Sequence, residues 1–312
     1  MKKISVVIPC YYSEKSLAII VNDAIKTIKN DGRYDYEVIL INDGSKDGTW
    51  SVIEQLASSD DKVVGINLSK NFGQHSALIA GYRAVTGDII LGVDDDGEHD
   101  PKEMFKLVDK LEEGYDYVSA DYSSVHKKTS AFRNFGTWLN ELMARALIDL
   151  PKDVTFSSYY VERRFVTDEI AKCSNPFPYV LGLLLQVTHN IGNVKLAKHQ
   201  RLYGKSGYNY KKLLSLWLNG FTAFSVKPLR LSTIFGFLVS FVGFILGIYI
   251  IVNKIINPNV QLGWSSLMCM LFFMGGMIML MLGMIGEYLG RVYININNKP
   301  QYVVKETTPP KK

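Results

Sequence analysis

The chain has 312 residues, of which 21% are charged, and its formal net charge is +5 with a sequence pI near 8.8. This length allows one large domain or two smaller ones, and the charge excess is too mild to predict nucleic acid as a partner. The three cysteines, Cys10, Cys173 and Cys269, lack metal-ligand spacing, so we expect free thiols in a reducing compartment. Residues 1–3 lead into a strand-like segment without a signal-peptide pattern, which predicts a cytosolic first domain.

Residues 1–120 alternate between strand-like and helix-like patterns. Short apolar runs predict strands, and apolar residues spaced three and four apart predict helices. Alternation of this kind predicts a mostly parallel sheet that is covered by helices on both faces. The predicted strands are residues 4–8, 37–41, 63–68, 89–93 and 115–120, and the predicted helices are residues 16–28, 50–56, 76–85 and 101–111.

Polar segments follow the first four predicted strands, at residues 9–14, 42–49, 69–74 and 94–98. The carboxyl ends of parallel strands meet at one edge of a sheet, so these segments predict a ligand site there. The Gly-rich dinucleotide fingerprint and the P-loop pattern are absent from the sequence, which argues against a dinucleotide enzyme and a P-loop NTPase. Phosphate charge would then be met by a metal ion and by basic side chains.

Three consecutive carboxylates, Asp94, Asp95 and Asp96, follow the predicted strand at 89–93, and Glu98 comes soon after. Crowded carboxylates repel one another, and a hard divalent cation with oxygen ligands commonly offsets that repulsion. The alternative is a solvated acidic turn that caps the helix beginning near Pro101. We favour the metal interpretation, because ligands gather at this end of the strands in α/β sheets.

Between residues 123 and 210 the alternation fades, and basic residues become frequent. An amphipathic helix is predicted at residues 135–148, shortly after Arg133. The segment 200–208 is basic and interrupted by glycines, as expected of a loop that binds an anion. Most of these charges are best interpreted as solvated surface groups. Arg201 and Lys205 are the stronger candidates for phosphate binding, because they precede the membrane-facing part of the chain.

The C-terminal third has the pattern of a membrane anchor. Residues 211–221 carry lysines and helically spaced apolar residues, which favours an interfacial helix over an ordinary core helix. Residues 231–252 and 264–286 contain no charge, and each run exceeds the roughly 18–20 residues that cross a bilayer. Flanking lysines and arginines predict both ends in the cytosol. Glycines in the second run predict close helix contacts or a homo-oligomer, and residues 307–312 a disordered tail.

Two spans are too few for a transport path, but they can hold a soluble active site against the lipid surface. A substrate that is part lipid and part phosphate would explain the basic residues near the spans. A second, water-soluble phosphate substrate would explain the metal. Transfer of a group from a nucleotide donor to a lipid phosphate fits both features.

Seven elements in the correct order resemble the family 2 glycosyltransferases, specifically the membrane-anchored polyprenyl-phosphate glycosyltransferases. Pro9-Cys10-Tyr11-Tyr12-Ser13-Glu14 is similar to the family's Pro-x-Tyr-Asn-Glu, and Asp94-Asp95-Asp96 to its Asp-x-Asp. A short Asp-x-Asp motif is weak alone, but the seven elements together cover nearly the whole chain. They are residues 9–14, 42–47, 71–73, 94–101, 201–208, 224–230 and 286–293.

The resemblance implies an α/β GT-A fold, Rossmann-like with a mostly parallel sheet, followed by interfacial helices and two transmembrane helices. It also implies a nucleotide-sugar donor, most often a UDP-sugar, a Mg2+ or Mn2+ ion, and a polyprenyl phosphate lipid as acceptor at the inner membrane. The implied divisions are a cytosolic GT-A domain at 1–207, an interfacial helix at 208–229, a two-helix transmembrane hairpin at 230–290 and a cytosolic tail at 291–312.

The resemblance further implies roles for particular residues. The metal ligands would be Asp94, Asp96 and Glu98. The donor would be bound by Pro9, Tyr11, Glu14, Asp43, Asn71, Asp94 and Asp95. The acceptor phosphate would be positioned by Arg133, Arg201 and Lys205. The catalytic carboxylates would be Asp94 and Asp96, with Asp153 as a candidate third.

One segment departs from the family pattern. Many members carry Asp-x-Gly-Asp-Phe-Arg after the amphipathic helix, but residues 155–160 here put Thr155 and Ser158 at the acidic positions and Tyr160 at the arginine. Asp153, two residues earlier, could substitute for a missing acid. The altered segment keeps a catalytically inactive membrane scaffold open as an alternative. A transferase that extends a polysaccharide on a hydroxyl acceptor is the other alternative, although only two spans argue against a translocating synthase.

Overall fold

The computed structural model describes residues 1–122, 154–197, 227–257, 263–296 and 299–308. The chain forms two compact units, one of Met1–Lys212 with Lys299–Lys312 and one of Leu213–Asn298. The first unit contains an eight-stranded sheet, and the second contains two long helices. The residues that follow the long helices therefore belong to the same unit as the N-terminal strands.

The strands are β1 (Lys3–Cys10), β2 (Asp35–Asn42), β3 (Val63–Leu68), β4 (Ile89–Gly92), β5 (Tyr117–Asp121), β6 (Tyr160–Arg163), β7 (Ile191–Lys195) and β8 (Val304–Thr307). The α-helices are α1 (Leu17–Asp31), α2 (Thr49–Ser59), α3 (Gln74–Tyr82), α4 (Met104–Glu112), α5 (Arg164–Ala171), α6 (Val180–Val187), α7 (Lys227–Ile256) and α8 (Trp264–Ile296).

The strands and helices predicted within residues 1–120 are confirmed, with small shifts at their ends. The predicted helix at 101–111 begins as a 3-10 turn, Pro101–Glu103, before α4. Its cap is the Asp100 carboxylate, which accepts a hydrogen bond of 2.9 Å from the Lys102 amide. The capping role considered for the acidic cluster therefore belongs to Asp100.

The sheet has the strand order β7-β5-β6-β4-β1-β2-β3-β8. Strands β3, β2, β1 and β4 are mutually parallel, and β6 runs antiparallel between β4 and β5. In the register of the central strands, Cys10 lies opposite Asn42 and Val7 lies opposite Gly92. The carboxyl ends of β1, β2 and β4 therefore meet at one edge, as predicted.

The two faces of the sheet form separate cores because side chains alternate along each strand. On β1, Val6 and Ile8 pack into one core and Val7 packs into the other. Both cores exclude solvent, which explains why these strands are nearly continuous apolar runs. Helices α1, α2 and α4 cover the first face, and α3, α5 and α6 cover the second.

Three strands of the sheet were not predicted. Strands β6 and β7 lie where the sequence alternation fades, and their four and five residues are too short for a clear period. Strand β8 pairs antiparallel with β3 and occupies Val304–Thr307. The prediction of a disordered tail is therefore wrong for residues 307 and 308, because Thr308 is buried and its amide donates to the Gly65 carbonyl at 2.9 Å.

The two charge-free runs lie within α7, of 30 residues, and α8, of 33 residues. Among the described residues, one stretch is long and apolar enough to cross a membrane by length and composition, Phe273–Gly290 in α8. The apolar stretch of α7, Gly236–Tyr249, is shorter. The helices predicted at 135–148 and 211–221 lie outside the described residues.

Candidate active site

The candidate site is built at the edge where β1, β2 and β4 end. The Asp43 amide donates to the Cys10 carbonyl at 3.0 Å, which fixes the end of β2 beside the end of β1. Tyr11 and Tyr12 follow β1, are half exposed, and make an edge-to-face pair with ring centroids 4.6 Å apart. The rings of Tyr11 and Tyr12 therefore form an exposed aromatic surface at this edge of the sheet.

Asp43 anchors a neighbouring loop. Its buried carboxylate accepts hydrogen bonds from the amides of Phe72 at 2.7 Å and Gly73 at 2.9 Å. Burial raises the pKa of Asp43, and these two hydrogen bonds oppose that rise. Asn71 lies in the same loop, and its side chain is near enough to Tyr11 to oppose the rise that burial causes in the pKa of Tyr11, so three of the predicted donor residues come together.

Asp94 lies at the end of β4 between two neutral partners. The Gln74 side chain, at the start of α3, donates to Asp94 Oδ1 at 3.0 Å, and the Ser158 hydroxyl donates to Asp94 Oδ2. The His99 Nε2 atom lies 3.6 Å from the same Oδ2. These contacts hold the Asp94 carboxylate in one orientation.

Asp95 faces the β1 turn. Its carboxylate accepts hydrogen bonds from the Tyr11 amide at 2.8 Å and from the Ser13 hydroxyl. Burial raises the pKa of Asp95 to about 6, although both hydrogen bonds lower it. Asp95 therefore fastens the end of β4 to the turn that follows β1.

Asp96 and Glu98 form a tight turn around Gly97, whose φ of 75° is left-handed. The Glu98 amide donates to Asp96 Oδ1 at 2.9 Å. In the described part of the chain, no group of three or more His, Cys, Asp or Glu side chains is arranged to hold a metal ion. The predicted set of Asp94, Asp96 and Glu98 is thus not preassembled.

The residues present nevertheless fit a divalent cation that binds together with a phosphate substrate. Mg2+ commonly takes only one or two protein carboxylates, and substrate phosphates and water supply its other ligands. Asp94 and Asp96 are partly exposed carboxylates at one strand end. Hard oxygen ligands of this kind match Mg2+ or Mn2+ in chemistry.

Buried aromatic side chains pack next to Asp94, and this contact was not predicted from the sequence. His99 is 4% exposed, stacks on Tyr159 at 5.0 Å, and shares a hydrogen bond of 2.7 Å with the Tyr122 hydroxyl. Its other ring nitrogen lies 3.2 Å from the Ser158 hydroxyl. The departure at residues 155–160 was the available signal, because Ser158 comes from that segment.

The remaining predicted residues divide into two groups. The Glu14 carboxylate accepts a hydrogen bond of 3.1 Å from the Gly48 amide and so holds the start of α2, while Pro9 is the next-to-last residue of β1. The others fall outside the described residues: Arg133, Asp153, Arg201 and Lys205.

The sheet, mostly parallel and covered by helices on both faces, has the GT-A fold. A solved structure with this fold is the glucosyl-3-phosphoglycerate synthase of Mycobacterium tuberculosis in complex with Mn2+, UDP-glucose and phosphoglyceric acid. It has a TM-score of 0.50 and 22% identity, and the match covers 71% of this chain and 78% of that chain. At this identity the likeness shows the fold alone.

Sequence comparison gives the family. Residues 5–166 match the family described as Glycosyl transferase family 2, and residues 227–292 match the GtrB C-terminal hairpin. The "Prophage bactoprenol glucosyl transferase homolog" of Escherichia coli K12 is 34% identical over 97% of this chain and 98% of its own length. The "Undecaprenyl-phosphate 4-deoxy-4-formamido-L-arabinose transferase" of Proteus mirabilis is 31% identical over 100% of this chain and 96% of its own. The chain belongs to the family 2 glycosyltransferases and is a glycosyltransferase.

Proposed function

We propose that this glycosyltransferase moves one sugar from a nucleotide sugar to a polyprenyl phosphate, with inversion at the anomeric carbon. The observation that carries the proposal is the extent of the likeness to polyprenyl-phosphate transferases. The match to the bactoprenol relative includes 97% of this chain, so it takes in both the catalytic sheet and the helical hairpin. A UDP-hexose such as UDP-glucose is the first donor to test, with UDP-N-acetylhexosamines next.

In the proposed reaction an oxygen of the acceptor phosphate attacks the anomeric carbon. The bond from that carbon to the nucleoside diphosphate breaks, and its electron pair leaves with the diphosphate. A phosphomonoester is already largely dianionic near neutral pH, with a second pKa of about 6, so the acceptor needs no strong base. A serine at position 158, beside Asp94, is compatible with a reaction of this type.

The donor would lie across the edge formed by Tyr11, Asp43 and Asn71. A divalent cation held by Asp94 and Asp96 would neutralise charge on the leaving diphosphate. Gln74 and Ser158 orient the Asp94 carboxylate before the donor arrives, and such preorganisation is a large part of electrostatic catalysis. Arg133, Arg201 and Lys205 are proposed to position the acceptor phosphate.

We also propose a two-span membrane anchor with both ends on the cytosolic side. Strands before and after the helices belong to one sheet, so the chain leaves and re-enters the same unit. A chain that returns to its starting side crosses a bilayer an even number of times. If α8 crosses through Phe273–Gly290, α7 must cross as well.

The test is a reconstituted reaction with the full-length protein in detergent, MgCl2 or MnCl2, undecaprenyl phosphate and a panel of radiolabelled UDP- and GDP-sugars. We expect one lipid-linked monosaccharide, and no product from the Asp96→Asn variant. A product that grows beyond one sugar would favour the polysaccharide alternative. Absence of turnover with every donor would overturn the proposal and favour the scaffold.

A further inference from the structure

The C-terminal segment 299–308 is fastened along β3, the strand that leads into the candidate donor edge. The Ser69 amide donates to the Val303 carbonyl at 2.9 Å. The Gly65 amide donates to the Thr308 hydroxyl at 2.9 Å, and the Thr308 amide returns a bond to the Gly65 carbonyl. Strand β8 thus reinforces β3 up to the loop that Asp43 anchors.

A chain of side-chain hydrogen bonds leads from β8 to the site. The Asn67 Nδ2 atom donates to Glu306 Oε1 at 2.7 Å, and the Asn42 Nδ2 atom donates to Asn67 Oδ1 at 2.8 Å. The Ser45 amide then donates to Asn42 Oδ1 at 3.2 Å, and the Tyr12 amide donates to the Ser45 hydroxyl at 3.1 Å. We call these five residues the hydrogen-bond chain.

The two ends of the hydrogen-bond chain favour the same polarity, because the Glu306 carboxylate accepts at one end and the Ser45 amide donates at the other. An ionised carboxylate only accepts hydrogen bonds, so Asn67 must turn its amide nitrogen toward Glu306. The Asn67 oxygen then faces Asn42, which must present its own nitrogen there and its oxygen to the Ser45 amide. Asn67 and Asn42 are 7% and 2% exposed, so water has little access to compensate for a wrong orientation.

The far end of the hydrogen-bond chain holds a backbone that needs support. Tyr12 has φ of 57°, a left-handed conformation that is uncommon for a residue other than glycine. Such conformations persist where the surroundings hold them in place. The Ser45 hydroxyl accepts a hydrogen bond from the Tyr12 amide and so supplies one of those restraints.

We propose that Glu306 is a positioning residue for donor binding, because it fixes the orientation of Asn67 and Asn42 and through them the Ser45 and Tyr12 turns at the nucleotide edge. The inference rests on the proposed function for the identity of that edge. It assigns a part in substrate binding to a segment that lies beyond the membrane hairpin in the sequence. More than 200 residues of sequence separate this segment from the turns that it supports.

The test compares three full-length variants in detergent. Glu306→Lys puts a hydrogen-bond donor at each end of the chain, so Asn67 and Asn42 cannot accept at both ends, and the bond from the Ser45 amide should weaken. We expect its Kd for UDP with MgCl2, and its KM for UDP-glucose, to rise about tenfold, with kcat at saturating donor unchanged. Glu306→Gln keeps an accepting oxygen, so it should bind UDP within about twofold of the wild type.

Thr308→Val is the matched control, because it weakens the attachment of β8 to β3 without touching the hydrogen-bond chain. It should lower Tm but leave the Kd for UDP unchanged. Hydrogen exchange of segments 11–14 and 43–49, measured without nucleotide, should be faster in Glu306→Lys and unaltered in Thr308→Val. Equal UDP binding and equal exchange in Glu306→Lys and the wild type would overturn the inference. Failure of the wild type to bind UDP would instead count against the proposed donor, and the exchange data would still decide the role of Glu306.

Discussion

Asp94 and Asp95 are adjacent in the sequence, yet their carboxylates have different surroundings. Asp94 accepts hydrogen bonds from the Gln74 and Ser158 side chains, and it remains partly exposed. Asp95 accepts from the Tyr11 amide and the Ser13 hydroxyl, and burial raises its pKa to about 6. At the residue scale, one carboxylate is therefore available to a ligand and the other joins two turns of the protein.

Ser158 is expected to act through Asp94. Ser158→Ala removes one hydrogen bond to the carboxylate, so kcat/KM should fall about tenfold. Ser158→Asp sets a second carboxylate against Asp94, and since like charges repel, the loss should reach about a hundredfold. Steady-state kinetics of the purified protein provides the measurement.

Ser157→Ala is the control for this prediction. Within the described residues, the hydrogen bonds of the Ser157 hydroxyl go only to main-chain atoms of Tyr159. It should keep kcat/KM close to that of the wild type. Equal losses in Ser157→Ala and Ser158→Ala would show that the segment matters only for folding.

Glu162 should make stability depend on pH. It is 1% exposed, and burial raises its pKa from 4.5 to about 7, so the folded state holds its proton more tightly than the unfolded state. The free energy of unfolding therefore falls as pH rises from 4.5 to about 7, and the full penalty remains above that range. Glu162→Gln should remove up to about 3 kcal/mol of penalty at pH 8 and change little at pH 4. Thermal melting at the two pH values tests this.

Glu37 provides a control with the opposite sign. Burial would raise its pKa, but hydrogen bonds from Ser5 and Thr86 outweigh burial and lower it. Its ionised form therefore stabilises the fold, and that contribution is lost as pH falls through the lowered pKa. Glu37→Gln should lower Tm at pH 8. A rise in Tm in both variants would contradict these opposite assignments.

At the scale of elements, the loop after β3 and the turn after β2 depend on close backbone contact. Gly44 has φ of 67°, and an added Cβ would lie 2.3 Å from the Lys70 carbonyl carbon. Asp43, the preceding residue, bonds to the same loop at Phe72 and Gly73. The turn and the loop can therefore approach each other only because residue 44 lacks a side chain.

Gly44→Ala should consequently damage both stability and donor binding. We expect a loss of about 3 kcal/mol or more in the free energy of unfolding, from left-handed strain together with backbone overlap. Gly32→Ala is the matched control, because Gly32 has φ of 71° but open space around its Cβ position. It should lose about 1 kcal/mol and keep its affinity for UDP. Chemical denaturation and UDP titration test both variants, and equal losses would contradict the role of the contact.

At the scale of the whole molecule, the sheet bears on the proposed membrane topology. Strands β7 and β8 lie at opposite edges of one sheet, although α7 and α8 separate them in the sequence. The segments before and after the second unit therefore belong to one unit, which supports the proposed even number of crossings. The homo-oligomer that the span glycines suggest stays a prediction.

A cysteine-accessibility experiment tests the topology. In a chain whose three native cysteines are replaced by serine, Asn257→Cys places a thiol just after α7. If the link between the helices lies outside, an impermeant maleimide should label it in intact cells. Asp23→Cys, on α1, should label only after the cells are opened. Labelling of Asn257→Cys only in opened cells would contradict the two-span hairpin.

The sequence by itself determined the first half of the sheet and the edge where the site lies. Strands β1 to β4 are short apolar runs that alternate with helical segments, and Asp43, Asp94 and Asp96 follow strands whose parallel order places them together. Seven ordered motifs were enough to predict the family. These features depend on residues that are close in the sequence, so local patterns reveal them.

The tertiary structure alone decided which groups support those carboxylates. Ser158 reaches Asp94 across 64 residues, and Asn67 reaches Glu306 across 239 residues. Strands β6 and β8 pair antiparallel and are four residues long. Neither the hydrophobic period of the sequence nor the connection rule for parallel strands could therefore predict them. Pairing of such short segments is stabilised by the neighbouring strand and not by their own composition. For that reason the acidic cluster could be found in the sequence, whereas its partners could be found only in the fold.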